Sequence, residues 1–133
     1  MSTLMVKYEE PTIRAFFPPE KRERYVQLLG KSNRRPDGLK KLHHEIIFDP
    51  KWSARIESGA EIVPLLTAKG APPDAYLIGT SKDQSIVPLE DAVALVEKES
   101  GILVCLPGRL ACYCAPGSGR RFILERGNPR TPL

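Results

Sequence analysis

The chain reads as an α+β protein: short N-terminal helices packed on a small, mostly antiparallel sheet that carries one further helix. Three observations predict this. Apolar residues recur at helical spacing in several short runs before Gly70. From Asp74 to Arg126 the pattern becomes strand, helix, strand, strand, strand, with proline-glycine turns between the last three runs. The only break between these halves is Gly70-Ala71-Pro72-Pro73, a joint too short to be a linker.

At 133 residues the chain has the size of one domain, 1–133, with a core of ordinary proportions. Within it, 1–10 reads as a loose arm, 11–70 as the helical half, 71–126 as the sheet half and 127–133 as a frayed tail. The arm shows no period beyond Leu4-Met5-Val6, a run suited to an extra edge strand. Residues 12–17 suit one or two helical turns with Thr12 as cap and Ile13, Phe16 and Phe17 inward, stopped by Pro18-Pro19. Pro19 opens a second helix over 20–29, with Tyr25, Leu28 and Leu29 as its apolar edge and Gly30 as terminator; Glu20 and Arg24 are spaced to support each other.

Residues 31–38 form a charged link. A third helical segment begins near Leu39, with Leu42, Ile46 and His43 inward and Asp37 as a cap, although Gly38 weakens that first turn. Asp49-Pro50 breaks the pattern, and 51–56 suits a short helical turn that docks Trp52. A helix over 60–69 carries Ile62, Leu65 and Leu66. Pro64 requires it to begin near Ile62 or to kink.

In the sheet half, Ala75-Tyr76-Leu77-Ile78-Gly79 is a short strand leaving the stiff Pro72-Pro73-Asp74 turn, and a polar loop follows. Pro88-Leu89-Glu90-Asp91 opens a helix with two carboxylates at the positive end of the backbone dipole. Leu89, Ala92, Val93 and Val96 form its buried stripe, and Ser100-Gly101 ends it. Runs 102–106 and 109–115 make a hairpin at Pro107-Gly108, and 121–126 returns after Pro116-Gly117-Ser118-Gly119. With Leu106 opposite Arg109 and Ala115 opposite Arg120, one sheet face holds Ile102, Val104, Ala111, Tyr113, Phe122 and Leu124. The other holds Leu103, Cys105, Leu110, Cys112, Cys114 and Ile123. Both faces are apolar, so both need covering: one by the Pro88 helix, the other by the N-terminal half or a second copy of the chain.

An apolar fraction of 41% with 27% charged residues is that of a soluble protein. No apolar run approaches the roughly 20 residues of a membrane span, and no signal-peptide segment opens the chain. The expectation is cytoplasmic, with no membrane partner. The formal charge is +4. It belongs to the N-terminal half, where residues 1–70 carry 13 basic and 9 acidic side chains against 7 of each in 71–133.

Lys31, Arg34, Arg35, Lys40 and Lys41 place five cations within eleven residues, the pattern best suited to phosphate or nucleic acid. No zinc-finger, aromatic-basic or helix-turn-helix signature accompanies them, so a solvated loop and helix start is the plainer reading. Arg120 and Arg121 beside the glycine-rich 116–119 loop are a weaker anion candidate, without the GxxxxGK[ST] spacing that wraps phosphates. His43 and His44, the only histidines, point about 100 degrees apart on a helix and lack an HExxH frame. Cys105, Cys112 and Cys114 read as buried, reduced thiols, too enclosed for a cysteine-histidine nucleophile. The single tryptophan, Trp52, reads first as a core anchor; its neighbours Lys51 and Arg55 could instead rim a protein-binding patch. No catalytic residue, metal ligand or cofactor site emerges.

The string Ile102-Leu103-Val104-Cys105-Leu106-Pro107-Gly108-Arg109-Leu110-Ala111, followed by Arg121-Phe122-Ile123-Leu124-Glu125-Arg126, resembles the C-terminal pattern of a group of small uncharacterised bacterial proteins. Asp49-Pro50 matches an aspartate-proline step near their middle, and Cys112 and Cys114 depart from their pattern. The resemblance implies bacterial origin and a shared fold, and brings no activity or cofactor with it. The reading is therefore a cytoplasmic, non-enzymatic protein-interaction or regulatory module, with a homodimer as one way to cover the second sheet face. The alternative is a phosphate or nucleic-acid binder using the 31–41 segment.

Overall fold

The computed structural model describes residues 3–44, 48–115 and 120–126, with the side chains of His43 and His44 left aside. The expected tail, the 116–119 loop and the inward placement of Ile46 and His43 lie outside that description. A six-stranded sheet is the frame, in the order β1-β6-β5-β4-β2-β3, and every pairing in it is antiparallel. The strands are β1 (Ser53–Ile56), β2 (Asp74–Ile78), β3 (Ile86–Pro88), β4 (Gly101–Leu106), β5 (Leu110–Cys114) and β6 (Arg121–Glu125). The helices are α1 (Glu10–Phe16), α2 (Pro19–Gly30), α3 (Arg35–His44), α4 (Ile62–Ala68) and α5 (Leu89–Glu99).

The central hairpins follow the expected register from Cys114↔Arg121 to Val104↔Ala111, then shift by one residue at a bulge, so that Leu106 meets Leu110. Because side chains alternate, this register assigns the two faces as the sequence implies. On one face Ile102, Val104, Ala111, Tyr113 and Leu124 pack with Ile13, Phe16, Phe17, Tyr25, Val26 and Leu29 from the N-terminal helices. On the other, Leu103, Cys105, Cys112 and Ile123 pack with Ile62 and Leu66 of α4 and Leu89, Ala92, Val93 and Val96 of α5. The chain thus covers both faces itself, and neither needs a second copy. At the α5–β4 junction a side chain is excluded from Gly101: its φ is +141°, and a Cβ there would lie 2.7 Å from the Ile78 carbonyl oxygen.

Five local expectations are corrected. The loose arm is instead helical: a π-helical stretch, Met5–Glu9, runs into α1, with Met5 and Glu9 buried. Thr12 therefore lies inside a helix and its hydroxyl donates to the Tyr8 carbonyl at 2.7 Å, so it caps nothing. The third helix begins at Arg35, with Pro36 in its first turn and no role for Asp37 as cap. Residues 53–56 form an edge strand instead of a helical turn, and Ile86–Pro88, expected as loop and helix start, pairs with β2 at the other edge. β3, at three residues, is shorter than a period-2 pattern needs to show itself, and β1, at four, is exposed at both central positions. Of the two options Pro64 left open, the helix begins at Ile62, after a 3₁₀ turn over Gly59–Glu61.

Candidate protein-interaction groove

The segment that builds the edge of the sheet starts from Asp49, whose side chain accepts a hydrogen bond from the Lys51 amide at 3.0 Å. Pro50 then sets one 3₁₀ turn, which ends as Ser53 extends into β1. After β1, the Ser58 hydroxyl accepts from the Ala60 amide at 3.2 Å and starts the turn that leads into α4. That turn is held tightly. A Cβ on Gly59 would come within 2.6 Å of the Glu97 carboxylate, which would then have to shift. Glu97 in turn receives both Nε and Nη2 of Arg121, the latter at 3.1 Å, tying α5 to β6 beneath the turn.

Strand, turn and helix leave a groove of about 340 Å³ between α4 and the β1–β6 edge. Trp52, Ala54, Ile56, Leu65 and Ile123 supply its apolar lining, and Lys51, Lys69 and Glu125 its charges. Lys69 and Glu125 meet at 2.7 Å across it, both partly exposed. The Arg126 guanidinium sits 4.6 Å from the centre of the Trp52 ring, and the half-buried indole packs against the core under the N-terminal helices while bordering the groove. Among the described residues β1 pairs only with β6, so its outer edge presents free backbone donors and acceptors beside this groove.

The basic run does not act as one surface. Lys31, Arg34 and Lys40 are exposed and Lys41 is half-buried. Arg35 is a correction: it is turned inward and 8% exposed. Its Nη1 and Nη2 donate to the two Glu9 oxygens at 2.7 and 2.9 Å, its Nε and Nη2 to Asp83 at 2.8 Å each, and Nη1 also to the Leu29 carbonyl at 3.0 Å. The Tyr76 hydroxyl completes the cluster by donating to Glu9. Burial works against the Arg35 charge, but the hydrogen bonds to Asp83 and Glu9 outweigh it and keep the guanidinium above its ordinary range. Burial, then the bond to Glu9, pushes the Tyr76 hydroxyl up in the same way. The sequence held no signal for this: Glu9 and Arg35 lie 26 residues apart and Asp83 a further 48.

Arg120 and Arg121 border a smaller pocket, about 210 Å³, with Glu97, Lys98, Ser100 and Cys114. There Arg121 is committed to Glu97. The three cysteines are free thiols and buried. Burial pushes the Cys105 thiol up to about 12, and a hydrogen bond with Cys114, then burial, raises Cys112 well above the ordinary range. Those shifts oppose thiolate formation. Among the described residues no group of three metal-ligating side chains converges, and no helix is long and apolar enough to cross a membrane.

Sequence reasoning read Trp52 first as a core anchor and offered a patch rimmed by Lys51 and Arg55 only as the alternative; of these Trp52 and Lys51 line the groove and Arg55 does not, and Ala54, Ile56, Leu65, Lys69 and Glu125, which join it once β1 pairs with β6, were missed. Comparison with protein-family models, with curated proteins and with solved structures finds no match to this chain.

Proposed function

We propose that this chain is a cytoplasmic, bacterial, non-enzymatic protein-interaction module that receives an extended segment of a partner protein along β1. The observation that carries the reading is the outer edge of β1, unpaired among the described residues, lying directly beside an apolar groove. Strand addition uses that combination: backbone hydrogen bonds along the edge give affinity, and alternate side chains of the guest fill the groove. The enclosed cysteines and the inward-turned Arg35 support a binding role over a catalytic one. The bacterial setting rests on the C-terminal sequence pattern.

Affinity capture from host lysate tests this, with wild type and Ala54→Phe side by side. Ala54 is exposed and lines the groove, so a phenylalanine there fills the site without entering the core. A protein retained by wild type and lost by Ala54→Phe fits the proposal. Equal capture by both contradicts it.

A second reading is phosphate or nucleic-acid binding through Lys31, Arg34, Lys40 and Lys41, supported by the exposure of Lys31, Arg34 and Lys40 around the α2–α3 turn. Nuclease-sensitive material lost at high salt, and lost when these residues are neutralised, would favour it.

A further inference from the structure

We infer that the segment received at β1 is acidic, carrying carboxylates between apolar residues; this rests on the reading of the β1 groove as a docking site and specifies its partner. Cations outnumber carboxylates along β1 and its groove. Among the described residues Lys51 and Lys69 line it with Glu125 as the one lining anion, and Arg55 projects from β1 on the opposite face of the sheet with its side chain 54% exposed. Glu125 is engaged by Lys69 at 2.7 Å, and the nearest carboxylate to Arg55 is the highly exposed Glu57, at 4.0 Å. At that length and exposure the Arg55 pair is weak. Lys51 has no ion pair among the described residues. Arg126 does not line the groove: it stacks on Trp52 and its Nη1 donates to the Ala15 carbonyl at 3.2 Å.

Strand geometry turns this ledger into a pattern. A guest strand points successive side chains to opposite faces of the sheet. Those directed toward α4 enter a lining of Ala54, Ile56 and Leu65 and must be apolar. Those directed to the opposite face pass Arg55 and gain from carboxylates, and a carboxylate at the margin of the groove gains from Lys51. A guest with lysine at the rim would bring like charges together, so the same cations exclude basic strands. The Lys69–Glu125 pair adds a discriminating element, because an incoming carboxylate can share Lys69 while an incoming ammonium must compete with Lys69 for Glu125.

Trp52 makes the test direct, since it is the only tryptophan in the chain and borders the groove. The probes are acetylated, amidated octapeptides in which valine alternates with glutamate, glutamine or lysine, titrated while following Trp52 emission. The glutamate peptide is expected to bind about fivefold to tenfold more tightly than the glutamine peptide in low salt, the gain of a few rim-exposed charge pairs. That advantage should shrink in about 0.5 M salt, where exposed charges are screened. In Lys51→Glu with Arg55→Glu, both surface residues, the order should reverse in favour of the lysine peptide, which guards against a merely structural effect. Equal binding of all peptides, with loss in Ala54→Phe, would overturn the acidic assignment and leave the docking site standing. Absence of binding by any peptide would overturn both.

Discussion

The two faces of the sheet are closed in opposite ways. The face under α1–α3 is sealed by aromatic side chains, with Phe48 bridging Phe17 and Tyr113 at centroid distances of 5.4 and 4.9 Å. Its charges are enclosed: Glu9 is 0% exposed and fully engaged by Arg35 and Tyr76. The face under α4 and α5 is aliphatic and cysteine-lined, and a groove remains between α4 and the β1–β6 edge with its charges at the rim. Enclosed and satisfied charge fixes the position of three remote segments. Charge at a groove's rim stays available to a partner.

The sharpest way to break this contrast is Glu9→Ala, which leaves Arg35 buried with one carboxylate fewer and Tyr76 without its acceptor. A loss of about 3–5 kcal/mol in denaturant stability is expected, as for removal of one partner from a buried ion pair. Peptide binding by the fraction that remains folded should be unchanged. Next, Leu66→Ala removes a fully buried anchor of α4 and should cost about 2–4 kcal/mol, with peptide binding weakened as well because α4 forms a wall of the groove.

A smaller effect comes from pH. Burial raises the Tyr113 hydroxyl to about 12, above the ~10 of an unfolded tyrosine. The protonated hydroxyl, which donates to the Leu42 carbonyl at 2.9 Å, is therefore favoured in the folded state. Its contribution is fully present below pH ~10 and is lost as pH rises toward 12, up to about 2 kcal/mol. Unfolding curves between these values should show the decline in wild type and a shallower one in Tyr113→Phe. The smallest effect is expected from Arg121→Ala. It breaks an ion pair whose side chains are 23% and 26% exposed, and the denaturant midpoint should register about 1 kcal/mol or less.

The legible part of this fold was periodic or punctuated. Leu89, Ala92, Val93 and Val96 spelled the buried stripe of α5, and the turns after Leu106 and Ala115 fixed which residues share each sheet face. What escaped was held by partners far away in the chain. The Met5–Glu9 stretch looked aperiodic because a fully buried glutamate occupies a core position, which is stable only with Arg35 and Tyr76 donating to it. β1 has two exposed central residues and the burial of an edge strand, so no alternation marked it. The groove was legible only as Trp52 with flanking cations, since its far wall comes from α4 and β6. Arg35 stood in a run of exposed cations, and residue type alone gave no means to separate it from them.

Hydrogen exchange of the chain with and without the glutamate peptide tests the central claim most directly. The account predicts slower exchange of the β1 amides over Ser53–Ile56, with a smaller gain in α4 and none at the turn between α2 and α3. Protection confined to that turn, or distributed without preference for β1, would contradict it.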